Sequence, residues 1–231
     1  MTIWRFLAAL TASLSITLGA VALLLGIADL AGATANLWMR DWEKQGHLGS
    51  ANEWTAVYER LSLARRLNPL SADVSADFGR LMDWRSLDHA PGSAAYASSR
   101  SRATQFYAES IEKRPSWGYA WAHYAQSRLL LGDRGEDFLL ALERAILLAP
   151  WEPGVQRKVA WIGLAAWEDL PESLRHLVRE SVGRSIGFDP QLDEVVRLAV
   201  QFDWLEQLIP MLRTGRQLDA LGRIVEQNQR R

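Results

Sequence analysis

From Phe6 to Ala28 the chain carries no charged side chain over 23 residues, and this stretch constrains the rest more than any other. About 20 consecutive apolar residues cross the hydrocarbon core of a bilayer as a helix, which satisfies every backbone amide internally. Arg5 stands before the run and Asp29 closes it. The expectation is therefore a cytoplasmic tip over 1–5, a transmembrane helix over 6–28 and a juxtamembrane segment over 29–50. A cleaved secretory signal is the competing reading, with Ala31-Gly32-Ala33 as the small-residue cleavage site. Its apolar core would normally be shorter, about 7–15 residues. Arg5 and the terminal amine favour the amino terminus inside, while Arg40 and Lys44 beyond the run weigh the other way.

Within the run, Ala8, Ala12, Ser15, Gly19, Ala22 and Gly26 follow one another at alternating intervals of four and three. That spacing puts small side chains along one helix face, where another transmembrane helix can approach closely. Ala9, Thr11, Ser13 and Ala20 lie off this seam, so a general abundance of small residues explains it as well. Trp38 and Trp42, soon after the run, are placed to anchor at the membrane interface.

The remaining chain shows little sign of chemistry. Its formal net charge is -1, a balance that provides no field to gather nucleic acid. There is no cysteine, which removes disulfides and thiolate ligands together. His47, His89, His123 and His176 share no metal-ligand spacing, and no phosphate loop, nucleophile elbow or dinucleotide fingerprint is present. No catalytic residue, metal or cofactor is expected, and the chain is read as something other than an enzyme.

Four prolines instead reveal a repeat: Pro69, Pro115, Pro150 and Pro190. Proline cannot continue a helix and pushes the preceding residue out of helical angles. Five residues before each stands a small side chain (Ala64, Ser110, Ala145, Ser185), and eight before, a larger apolar one (Leu61, Tyr107, Leu142, Val182). Ten residues after the first three come Gly79, Ala125 and Ala160; Val200 breaks the rule after the fourth. Small residues facing each other let antiparallel helices pack closely, and stacking such hairpins gives a solenoid. Helices are expected at 51–67, 71–86, 95–113, 117–131, 135–148, 152–168 and 171–187, with shorter ones at 190–202, 203–213 and 215–228. The fold class is thus all-α: a transmembrane helix, a solenoid over 51–188 and a helical cap over 189–231.

The stretch from Pro115 to Pro150 resembles a tetratricopeptide repeat, with Trp121 at the signature tryptophan, Ala125 at the small position, Gly132-Asp133 at the inter-helix turn and "ALERAILLAP" as the second helix. The proline spacings of 46, 35 and 40 depart from the family's 34, the first through an enlarged loop around Asp88–Ser93. The resemblance implies a protein-binding groove lined by Asp73, Arg80, Asp83, Trp84, Tyr119, Gln126, Arg157 and Trp161. Such a mixture of charge, amide and ring suits an extended peptide or a partner helix, and a glycan almost as well. Trp117, Trp121, Trp151, Trp161 and Trp167 raise the same carbohydrate-stacking alternative, against plain core packing.

A narrower resemblance lies in Leu147–Arg175, "LLAPWEPGVQRKVAWIGLAAWEDLPESLR". This segment, with "NPLSADVSADFGRLMDWR" from Asn68 to Arg85, is similar to the VpsP-type proteins of bacterial exopolysaccharide biosynthesis. It implies a scaffold or accessory subunit in the bacterial inner membrane, single-pass, with a periplasmic carboxy-terminal domain. Implied partners are the bilayer and membrane proteins of an envelope or polysaccharide-assembly complex. A glycan and a second copy of the chain are the further partners it admits. The alternatives are a periplasmic glycan-binding module and an adaptor of pilus or secretion assembly.

Overall fold

The computed structural model describes residues 2–187 and 189–229. Met1 of the expected tip, the side chain of Pro190 and Arg230–Arg231 of the expected cap lie outside the described residues. Every regular element among the described residues is helical. The chain divides into two compact units, residues 1–113 and 114–231.

The first unit is built on α1, a single helix of 44 residues from Thr2 to Gln45. At 1.5 Å per residue it is about 66 Å long. It is long and apolar enough to cross a membrane. The helix does not end with the expected span at residue 28 but continues for a further 17 residues through most of the expected juxtamembrane segment. Ala28, Ala31, Ala35, Met39 and Trp42 recur at helical spacing and are all buried, so packing holds this half in shape. The helix stops at Gly46, whose left-handed φ of 73° turns the chain away.

α2 (Ala51–Leu67) returns antiparallel along α1. Its start is fixed by reciprocal bonds: the Glu53 amide donates to the Ser50 hydroxyl, and the Ser50 amide donates to Glu53 Oε2. α3 (Ala72–Ser86) is the central helix, buried along most of its length against α4 (Ala94–Lys113), α2 and α1. The α3–α4 pair packs tightly at Gly79, where an added Cβ would lie 2.5 Å from the Tyr107 ring. Trp54 stacks on Tyr58, Tyr58 meets Phe78 edge to face, and Phe78 stacks on Phe106, a series that crosses α2, α3 and α4.

The second unit contains α5 (Gly118–Leu130), α6 (Glu136–Leu148), α7 (Pro153–Ala165) and α8 (Glu172–Ile186). These are followed by α9 (Asp189–Gln201), the single turn α10 (Leu205–Leu208) and α11 (Gly215–Gln229). One continuous core runs from Ala122 through Phe138, Leu142, Val159 and Val178 to Trp204 and Ile224. The helices of the expected cap contribute to this core. Most element bounds agree with the proline-based expectation to within two residues; Gly132, at φ 78°, makes the predicted α5–α6 turn. The expected helix over 203–213 shrinks to α10 and one tight turn, Ile209–Met211, because Pro210 offers no amide to continue it.

Candidate functional site

The lipid-length half of α1 and its packed half present different faces. Ala8, Ala12, Ser15, Gly19, Ala22 and Gly26 all lie exposed along one stripe, and a Cβ at Gly19 or Gly26 would meet nothing within 4 Å. Ala35, at the centre of the packed face, is nine residues beyond Gly26. That is about two and a half turns, so the stripe and the packed face lie on opposite sides of the helix.

The packed half carries a charged network that joins α1 to α3. Asn36 Nδ2 donates to Asp77 Oδ2 at 2.5 Å, and Arg80 Nη1 donates to Asn36 Oδ1 at 2.6 Å. Arg80 also reaches Asp77 at 3.3 Å and, through Nη2, Glu43 at 2.9 Å. Burial pushes the Asp77 carboxyl up to about 6, against the pull of Arg80 and Asn36 and with some help from Asp73. Above this network Trp42 and Trp84 meet edge to face at 6.2 Å.

A second network joins α3 to α4. Asp83 accepts from Arg100 Nη1 and from the Tyr107 hydroxyl, each at 2.7 Å. Arg65 and Lys113 both bind Glu109; burial opposes its ionisation, but the two cations outweigh it and hold the carboxyl below its usual range.

The expected groove residues divide between the two units. In the first, Asp73 is exposed in the opening turn of α3 and Trp84 is half-buried. Arg80 turns to α1 and Asp83 to α4, so these two serve opposite interfaces rather than one surface. In the second, Tyr119 stacks on Trp117 and meets His123 at a tilt, and Gln126 accepts from Lys158 at 2.5 Å. Arg157 stands 3.7 Å from Glu194, and Trp161 meets Phe202 edge-on at 6.5 Å. Of the five clustered tryptophans only Trp151 is well exposed, at 76%. Trp121 Nε1 donates to the Pro115 carbonyl and Trp167 packs against Trp204. Core packing therefore accounts for the tryptophan richness better than an array of sugar platforms.

The anchor role expected of Trp42 is also corrected. It is 3% exposed and belongs to the core of the first unit, because the helix does not end at the lipid boundary. Trp38 lies beneath the Arg60 guanidinium at 5.8 Å. Sequence reading missed Asn36 and Arg100 and took Tyr107 only as an apolar packing residue, since no motif marks a buried polar pair. A usable signal was the helical recurrence Ala28–Ala31–Ala35–Met39–Trp42 beyond the uncharged run. Among the described residues no group of acidic or histidine side chains gathers to hold a metal. The second unit has an open hollow of about 510 Å³ between α9 and α11, lined by Arg197, Gln201 and Gln227. Comparison with known proteins gives no match, either to a family model or to a curated sequence.

Proposed function

We propose that the chain is a membrane-anchored scaffold, in which α1 crosses the bilayer and delivers a helical interaction domain to its surface. The observation that carries this reading is the continuity of α1: one helix supplies both the lipid-length apolar half and a core element of the first unit. An anchor built this way fixes the first unit beside other membrane components rather than tethering it loosely. The hairpins α5–α6 and α7–α8 are read as tetratricopeptide-like repeats of this domain, with the amino terminus of the chain inside.

The finer assignment is an accessory subunit of exopolysaccharide assembly or export in a bacterial inner membrane. It rests on the residues of Leu147–Arg175 and Asn68–Arg85. Its test is the secreted polysaccharide of an in-frame deletion strain, complemented with the full chain or with residues 29–231. The expected outcome is loss of polymer, restored only by the full chain. Unchanged polymer in the deletion strain would remove the polysaccharide assignment and leave a scaffold of another envelope system. Rescue by residues 29–231 would remove the requirement for the anchor.

A further inference from the structure

The first unit reaches down to the base of the expected span, with no spacer between them. The first buried residue of α1 is Ala28, which is also the last residue of the uncharged run. Two independent registers show what covers that level. α3 runs parallel to α1 with Asp77 beside Asn36, so five residues back its start at Ala72 is level with Ala31. α2 runs antiparallel with Arg60 over Trp38, so seven residues on its end at Leu67 is level with Ala31 too. The turn that joins them, residues 68–71, projects past Ala31 toward Ala28 and Asp29.

That turn exposes Pro69 and Leu70, and Leu70 is 82% accessible, more than any other large apolar side chain of the first unit. Leu63 and Arg66 are exposed on the turn of α2 just above it. Arg66 makes no ion pair among the described residues, whereas its neighbour Arg65 is taken up by Glu109. A single exposed leucine means little anywhere else on a protein surface. Here its height along α1 matters, since it coincides with the end of the uncharged run.

We propose that the α2–α3 turn is a second membrane contact, with Leu70 seated among lipid chains at the interface and Arg66 against lipid phosphates. This rests on the reading of α1 as a bilayer span. The occupant is the bilayer that holds α1, because any other partner would have to displace lipid at that level. The turn takes the interfacial role that Trp38 and Trp42 do not fill, as they lie some 15 Å and 21 Å farther along the helix at 1.5 Å per residue. With α1 it gives the unit two points of attachment, which fixes the tilt of the bundle over the membrane.

The chain has no cysteine, so single labels are placed without background. The experiment uses the full chain in vesicles of phosphatidylethanolamine and phosphatidylglycerol, with a polarity-sensitive fluorophore on Leu18→Cys, Leu70→Cys or Leu87→Cys. Leu87 is also exposed, at 58%, and caps the far end of α3, which makes it the aqueous control. The expected result is blue-shifted emission, quenched by nitroxides on the lipid chains, at 18 and at 70 but not at 87. Emission at 70 that matches 87, with 18 still quenched, would overturn the membrane contact and leave the span intact. Aqueous emission at 18 would overturn the span itself, and the contact with it.

Discussion

Asp77 is the residue whose environment has the clearest consequence. Its carboxyl titrates near 6 in the fold against 3.8 for an unhindered aspartate. Below about pH 4 it is protonated in both folded and unfolded chains and costs nothing. As pH rises through 6 the fold must hold a buried charge, so stability from this group falls by about 3 kcal/mol. Asp77→Asn should therefore gain on the wild type between pH 4.5 and pH 7.5 in denaturant unfolding of the full chain. A gap that stays constant with pH would show that the carboxyl is ordinary. None of this was legible in the sequence: Asp73, Asp77 and Asp83 lie on one helix, Asp73 and Asp83 were expected in the groove, and only the fold sorts the three. Asp73 remains in water, Asp77 is enclosed against α1, and Asp83 is claimed by Arg100 and Tyr107.

At the level of elements, small residues decide how close two helices come. Gly79 was singled out by its offset from Pro69, and it is the point where α3 meets Tyr107. Gly79→Ala would press a methyl into a ring that is fully buried and tied to Asp83, and should destabilise by about 1–3 kcal/mol. Gly222→Ala, on an exposed turn of α11 with nothing within 4 Å, should instead stabilise by roughly 0.4–1 kcal/mol. Thermal unfolding of both variants checks the pair, and equal effects would count against the packing argument. Helix ends were legible because proline and glycine act locally. The partner of α2 was not, because the eye stops at a charge: Asp29 closes the uncharged run but is an acceptable helical residue on an exposed face.

For the whole molecule, the sharing of α1 decides where the protein can be cut. A fragment of residues 29–231 keeps Ala31, Ala35, Met39 and Trp42, and should be soluble and folded. A fragment of residues 51–231 strips these from α2 and α3, exposing Trp84 and the face of α2 that packs on α1. It should aggregate or show fast amide exchange in α3 while α7 stays protected. Equal exchange in the two fragments would mean that α1 adds nothing to the unit. The same helix has one more property, which follows from the opposite placement of its small-residue stripe and its packed face. Two copies that touched along the stripe would carry their bundles on outward flanks, back to back, with the bearing of each dictated from within the lipid. One residue inserted after Gly26 would swing a bundle by about 100° around the helix axis, leaving every contact inside it unchanged. Direction, and not only attachment, is written into the shaft.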